Sequence, residues 1–189
     1  KAGREVALIE KSDQMYGGTC INVACIPSKF LENEARRSSM IGGSFEDKAR
    51  RYKQVIQEKR ELVGKLRDKN YKKLAEAAGV DVITGTAFFT DPNHIMVANQ
   101  DGMTEELEGD NFYINTGARP FIPPIKGIHE SNHVYISETL MEEERLPKNL
   151  VIIGGGYIGV EFASYYSNFG SQVTVIQNGK DFIPREDQE

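Results

Sequence analysis

The stretch that most restricts the fold is 149–176. An apolar strand, Asn149-Leu150-Val151-Ile152-Ile153, runs into Gly154-Gly155-Gly156-Tyr157-Ile158-Gly159. A helix over 160–169 follows, closed by Gly170, and Gln172-Val173-Thr174-Val175-Ile176 reads as the next strand. Two apolar strands joined by a helix form a parallel βαβ unit. G-x-G-x-x-G by itself is a weak pattern, but here a strand precedes it, a helix opens on it and a second strand completes the unit. Gly154 and Gly156 then let backbone amides and a helix N-terminus approach a pyrophosphate, while Gly159 permits close helix–strand packing. At the end of the second strand an acid would favour NAD and a nearby Arg NADP. That position is Gln177, and Lys180 is a loop lysine of the kind that usually faces water, so NAD versus NADP stays open.

The chain opens on half of a similar unit. Arg4-Glu5-Val6-Ala7-Leu8-Ile9-Glu10 reads as a buried strand ending in an acid, and Lys1-Ala2-Gly3 as the end of a helix. A parallel strand ending in Glu is the second strand of a dinucleotide-binding unit, its carboxylate set for a ribose hydroxyl. On that reading the first strand and its glycine turn belong upstream. An ordinary surface Glu10 is the alternative.

Cys20 and Cys25, the two cysteines of the chain, lie in Gly17-Gly18-Thr19-Cys20-Ile21-Asn22-Val23-Ala24-Cys25-Ile26-Pro27-Ser28-Lys29. In a regular helix such positions are roughly 8 Å apart, beyond the ~7 Å limit for a disulfide. A bridge needs a distorted turn, and strained disulfides are the easily reduced ones. Closing so short a loop also restrains the unfolded chain very little. The pair reads as a redox dithiol rather than a staple; two buried, inert thiols are the alternative.

Residues 30–79 read as mostly helical, with an interruption at Gly42-Gly43. Tyr52, Val55, Ile56, Leu62, Val63, Leu66 and Leu74 mark an apolar stripe. The opposite face carries many lysines and arginines, Lys59, Arg60 and Arg67 among them. Glu58, Glu61 and Asp68 interleave with these, which favours a solvated face over a nucleic-acid patch. Four short strands are expected at 82–84, 87–89, 95–97 and 112–115, as a small antiparallel meander with turns at 91–93 and 99–102. Thr116-Gly117-Ala118-Arg119-Pro120 reads as a tight turn and 121–124 as an extended crossing. His129-Glu130-Ser131-Asn132-His133 spells H-E-x-x-H, whose zinc chemistry requires a helix. Its surroundings are loop-like and then β-like, so the match is expected to be coincidental and no metal site is assigned.

With 39% hydrophobic and 27% charged residues among 189, the composition is that of a globular protein. A net charge of −5 and a pI near 5.4 argue against nucleic acid or an anionic membrane as partner. No apolar run approaches the ~20 residues needed to cross a bilayer. Two cysteines do not make a secreted disulfide scaffold, so a cytoplasmic location is expected.

Together GGTCINVACIPSK, the preceding VALIEK, TGARP and GGGYIGVEFA resemble the class I pyridine nucleotide–disulfide oxidoreductases. These FAD enzymes include dihydrolipoamide dehydrogenase, glutathione reductase and mercuric reductase. The four motifs occur in the right order and spacing over nearly the whole chain, which looks most similar to the uncharacterised or reactive-chlorine-responsive bacterial branch. Ala24 is a departure, since relatives usually carry Gly there. The resemblance implies an α/β fold: a partial Rossmann-like FAD-binding domain over 1–145, lacking its first strand and glycine turn but carrying a helical insertion and a β-meander. A partial Rossmann NAD(P)-binding domain, its first βαβ unit only, would occupy 146–189.

The same resemblance implies roles. Glu10 would hold the FAD ribose, Gly17, Gly18 and Thr19 would pack against its phosphates, and Ala87, Thr116, Gly117 and Ala118 would touch it. Cys25 would face the flavin and Cys20 would exchange with substrate. Lys29 would sit by the flavin and favour the thiolate, with Glu161 as its partner; a plain helix-surface Glu161 is the alternative. NAD(P)H would lie on Gly154, Gly156, Tyr157, Ile158, Gly159 and Gln177. Tyr157 would cover the nicotinamide pocket, unless it simply packs at its helix start. The expected activity is NAD(P)H oxidation through FAD and a Cys20–Cys25 disulfide to a small-molecule or small-thiol acceptor, in a homodimer. The family's N-terminal glycine turn and C-terminal dimerisation domain have no counterpart, so the 189 residues are expected to be an inactive fragment. The rival reading is a Rossmann-type redox sensor without turnover.

Overall fold

The computed structural model describes residues 3–99 and 101–183. Lys1 and Ala2 of the expected helix end, and Gln100 of the expected 99–102 turn, lie outside the described residues. The chain forms two compact units, Lys1–Asn22 with Val63–Arg119 and Val23–Leu62 with Pro120–Glu189.

In the first unit, β1 (Val6–Glu10) pairs in parallel with β2 (Val80–Thr84), so that Glu10 stands opposite Thr84. A short helix, α1 (Gly18–Asn22), follows β1. Three antiparallel strands, β3 (Thr86–Phe89), β4 (His94–Ala98) and β5 (Thr104–Glu108), form a second sheet. Ile95 and Val97 of β4 are its buried residues. The meander is therefore not the one expected. Residues 82–84 belong to the parallel pair, 112–115 are irregular, and the missed strand is β5. Its sequence, Thr-Glu-Glu-Leu-Glu, hides it: only Leu107 is half-buried, and backbone pairing with β4 does the rest. Residues 116–120 are likewise irregular rather than a tight turn. Gly85 joins the two sheets and donates its N–H to Glu10 O at 2.9 Å. A Cβ there would lie 2.7 Å from Val97 Cγ1 and 2.8 Å from Ala98 O, so the close approach requires glycine.

In the second unit, α2 (Cys25–Ile41) packs on α5 (Tyr157–Phe169), and β6 (Asn149–Ile153) pairs in parallel with β7 (Gln172–Ile176). The 45–62 portion of α3 (Phe45–Ala75) and α4 (Ser137–Leu140) complete it. Pro27, Leu31 and Ala35 recur every fourth residue along the inner face of α2. Leu31 and Ala35 meet Tyr52 and Ile56 of α3 and Phe162, Tyr165, Tyr166 and Phe169 of α5 in one core. Each such aromatic or aliphatic side chain contributes about 1.5–3 kcal/mol when fully buried. A short polar chain crosses this core, in which Tyr52 Oη lies 3.0 Å from Tyr166 Oη and Tyr166 Oη donates to Leu140 O at 3.1 Å. Burial pushes both phenols well above the ordinary tyrosine range.

Helix ends follow from local chemistry. Ser44 Oγ accepts from Asp47 N at 3.2 Å while Asp47 Oδ2 accepts from Ser44 N at 3.0 Å, a reciprocal cap at the start of α3. Gly170, at φ 104°, ends α5 by donating to Ser167 O and Tyr166 O. The basic face of α3 is not uniformly solvated. Lys59 is 1% exposed and donates to Met141 O at 2.8 Å and to the Glu142 carboxylate. Burial outweighs that carboxylate and holds the Lys59 pKa below the usual lysine range. Arg60 embraces Glu142 through its carboxylate and carbonyl, and also reaches Glu144.

Candidate functional site

The glycine-rich turn lies between β6 and α5, and each glycine has its own reason. Gly154 adopts φ 111° and donates to Ile176 O at 2.8 Å, which ties the turn to the end of β7. A Cβ on Gly159 would overlap the carbonyl oxygen of Gly154, so helix and turn approach as closely as backbone allows. Gly156, the N-cap of α5, has no atom within 4 Å of where its Cβ would be. One glycine serves packing and another leaves open space before a helix N-terminus, the division of labour a pyrophosphate cradle needs.

Gln177 closes the far side of this turn. Its Oε1 accepts from Gly155 N at 2.9 Å and its Nε2 donates to Asp181 O at 3.3 Å. Tyr157 and Ile158 begin α5 well exposed, at 57% and 59%.

Lys29 and Glu161 come together. Lys29 Nζ donates to Glu161 Oε1 at 2.9 Å, linking α2 to α5, and Ser28 Oγ donates to the same oxygen at 3.0 Å. The Lys29 bond to Glu161, and a second to Glu32, hold the Lys29 pKa above the ordinary lysine value. Glu32 is the member the sequence reading missed. Its Oε2 accepts from Lys29 Nζ at 3.1 Å and its Oε1 from Arg36 Nη2 at 2.7 Å. The bond from Lys29 is the leading cause that keeps the Glu32 carboxyl below the usual range. The signal was available as i,i+3 and i,i+4 charge spacing along one helix face.

The two cysteines occupy successive helices rather than one. Cys20 lies in α1 and Cys25 opens α2. Between them Ala24 takes φ −136°, ψ −100°, outside the helical region. Both thiols are exposed, contrary to the buried alternative. The boundary between the two units falls at 22/23, and each cysteine belongs to its own unit.

In the first unit, Glu10 ends β1 with Oε1 accepting from Ser12 N at 3.1 Å. Gly17 and Gly18 adopt φ 93° and 74°, and no atom lies within 4 Å of a Cβ built on Gly18. Thr19 is brought toward Gly117, whose Cβ would lie 3.6 Å from Thr19 Oγ1. Gly117 itself, with φ 75°, lies in irregular chain beside Thr116 and Ala118. Ala87 is exposed in β3, opposite Val97. Asn22 organises the segment before Cys25. Its Nδ2 donates to Tyr16 O at 3.1 Å and Gly18 O at 2.8 Å, and its Oδ1 accepts from Arg67 Nε at 2.8 Å. The helix that H-E-x-x-H needs is not formed, because 126–133 is turn and coil. Among the described residues no group of three His, Cys, Asp or Glu side chains could hold a metal ion. None of their helices is long and apolar enough to cross a membrane.

Comparison with known proteins agrees with this geometry. A family model described as pyridine nucleotide-disulphide oxidoreductase matches residues 1–189. The chain is 44% identical over 189 residues to a probable pyridine nucleotide-disulfide oxidoreductase, RclA, of Escherichia coli strain K12, all of this chain and 40% of that protein. It is 38% identical over 180 residues to a mercuric reductase of Streptomyces lividans, covering 92% of this chain and 37% of the relative. The solved HOCl-induced flavoprotein disulfide reductase RclA from Escherichia coli superposes with a TM-score of 0.87 over 99% of this chain and 40% of its own. The chain therefore spans well under half the length of the relatives it matches. A family model over the whole chain and a relative 44% identical over all of it show that the chain belongs to the pyridine nucleotide-disulphide oxidoreductase family.

Proposed function

We propose that this chain is part of an FAD-dependent NAD(P)H oxidoreductase that passes electrons through a Cys20–Cys25 disulfide to a disulfide or another thiol-reducible acceptor. The observation that carries the reading is the Lys29 ammonium, one helical turn beyond the exposed Cys25 and pinned by Glu161 from α5 at 2.9 Å. On this reading 1–145 serves FAD and 146–189 serves NAD(P). The residues fit these cofactors: Gly18 and Gly156 leave backbone uncovered, and Glu10 stands at a strand end for a ribose hydroxyl.

Bound FAD supplies the two-electron relay between NAD(P)H and the disulfide. Two electrons and two protons open the Cys20–Cys25 bridge. Lys29 favours the thiolate of Cys25. The Cys20 thiolate attacks an acceptor disulfide, forms a mixed disulfide and releases one thiol. Cys25 then attacks the Cys20 sulfur, restores the bridge and releases the second thiol. Gln177 carries no charge against a 2′-phosphate, which is compatible with NADPH as well as NADH. The proposed setting is a cytoplasmic homodimer.

The acceptor is identified by assay of the full-length protein. Relatives bear the name mercuric reductase, and RclA has been solved as a Cu(II) complex. NADH or NADPH oxidation is therefore measured with small disulfides, mercuric ion, cupric ion and hypohalous acid. A yellow protein that oxidises NAD(P)H with one of these, and loses that activity in Cys20→Ser, supports the reading. A protein that binds no flavin overturns it in favour of a redox sensor.

A further inference from the structure

G-x-G-x-x-G is satisfied by Gly154, Gly156 and Gly159 and asks nothing of the residue between the first two. That residue is nevertheless a glycine, Gly155, and its φ lies outside the left-handed region, so the backbone does not require one. The reason is spatial. A Cβ on Gly155 would lie 2.5 Å from Phe182 Cδ1, 2.9 Å from Phe182 Cε1 and 3.4 Å from Gln177 Cδ. One edge of the Phe182 ring takes the place a side chain would have.

The segment that carries this ring is tied over the turn. Gln177 Oε1 accepts from Gly155 N at 2.9 Å, Ile183 N donates to Gly155 O at 2.9 Å, and Gln177 Nε2 donates to Asp181 O at 3.3 Å. The N–H and the C=O of Gly155 are thus both engaged by 177–183. Ile183 holds φ 50°, a left-handed conformation that a β-branched residue rarely adopts and that persists only where its surroundings impose it. Gripped along one edge, Phe182 still stands 54% exposed.

In a βαβ dinucleotide site the pyrophosphate lies on the glycine turn and the adenosine ribose at the end of the second strand. Here those places are Gly154–Gly156 and Gln177, and Phe182 and Gln177 flank the same point on Gly155. The geometry points to Phe182 as an adenine platform, a ring that the 177–183 strap holds beside the turn so that the adenine of NAD(P)H stacks on its open face. The inference rests on the reading of this turn as the NAD(P) site. Stacking makes no demand on the ribose 2′ substituent, so the platform serves NADH and NADPH alike. A ring that plugged the site would have to leave on binding and give up the bond from Ile183 to Gly155; a platform keeps it.

The test uses the full-length protein with Phe182→Leu and Phe182→Tyr, and Phe182→Met as a second aliphatic variant should Phe182→Leu fold poorly. Affinity is read by calorimetric titration with ADP-ribose, which has the adenine and pyrophosphate of the cofactor but no nicotinamide. The kcat/KM for flavin reduction is compared between NADH and reduced nicotinamide mononucleotide, which has no adenine. Phe182→Leu is expected to weaken ADP-ribose binding about five- to tenfold and to lower kcat/KM for NADH by a similar factor. The mononucleotide is expected to change less than about twofold, and Phe182→Tyr, which keeps the ring, to stay near the parent. Phe182→Leu binding ADP-ribose as tightly as the parent, or more tightly as loss of a plug would cause, overturns the inference and leaves the NAD(P) reading intact. A loss shared equally by the mononucleotide also overturns it. A parent protein that binds neither ADP-ribose nor NAD(P)H removes the nucleotide from this turn, and the platform with it.

Discussion

Replacing Gly159 or Gly156 by alanine separates packing from binding within one turn. A Cβ on Gly159 would overlap the Gly154 carbonyl oxygen and lie 3.4 Å from Ile152 Cγ2. The oxygen is backbone and cannot swing aside, so α5 must slide off the turn. Overpacking of this kind costs about 1–3 kcal/mol. Alanine regains roughly 1 kcal/mol of helix propensity over glycine. The expected net loss for Gly159→Ala is about 1 kcal/mol, with a weaker grip on NAD(P)H because the Gly154 turn moves; each 1.4 kcal/mol of lost binding is about tenfold in Kd. Gly156 has φ −80°, ψ −177°, which alanine adopts without strain, and open space where the methyl would go. Gly156→Ala is therefore expected to leave folding within about 1 kcal/mol, the cost of alanine at an N-cap, while its methyl obstructs the pyrophosphate. Denaturant unfolding and calorimetric titration of NAD(P)H on the full-length protein read the two effects. A Gly159→Ala protein as stable as the parent would refute the close packing. A Gly156→Ala protein that binds NAD(P)H as tightly as the parent would remove the nucleotide from this turn.

Three further outcomes follow from other parts of the molecule. Lys59→Met strips Met141 O of its donor in a buried setting, and is expected to lower stability by about 1–3 kcal/mol, the cost of an unsatisfied buried acceptor; an unchanged unfolding midpoint would count against that clamp. At the β3–β4 turn, hydrogen bonds from the Asn93 amide and the His94 ring hold Asp91 below the usual carboxyl range, and Asp91 raises the His94 pKa. His94 thus stabilises fully below its unfolded pKa and loses that contribution as pH rises through its raised folded value. Asp91 stabilises above its unfolded pKa and loses that as pH falls through its lowered one. Protection of the Asn93 and His94 amides, taken as exchange relative to the unfolded-peptide rate at each pH, should accordingly be greatest in mildly acidic solution, and greater protection at pH 8 than at pH 6 would contradict this. Asn22→Leu removes the bonds to Tyr16 O and Gly18 O; it should speed alkylation of Cys20 relative to Cys25, and equal rates before and after would show that Asn22 does not order α1.

The parts of this site that were legible in the sequence are those encoded locally. Gly154, Gly156 and Gly159 announce a βαβ turn because each answers a backbone requirement within a few residues. The cysteine spacing announces a broken helix for a similar reason, and Ala24 provides the break. What was not legible depended on distant partners. β5 carries three glutamates and one half-buried leucine, and only the register with β4 makes it a strand. Lys59 sits in a run of basic residues, yet 82 residues later Met141 offers a carbonyl that buries it. Glu32 lay within reach of a sequence argument, since its spacing to Lys29 and Arg36 is helical.

The measurement closest to the central claim is the absorption spectrum of the full-length protein during stepwise reduction by NAD(P)H under anaerobic conditions. The expected result is a flavin spectrum that gains a long-wavelength thiolate–flavin band after two electrons; Cys25→Ser shows no such band, and Cys20→Ser, which has no disulfide to reduce, shows it before any electron is added and loses it when two electrons reduce the flavin. A flavin that reduces fully with two electrons and never shows the band would contradict a dithiol between flavin and acceptor.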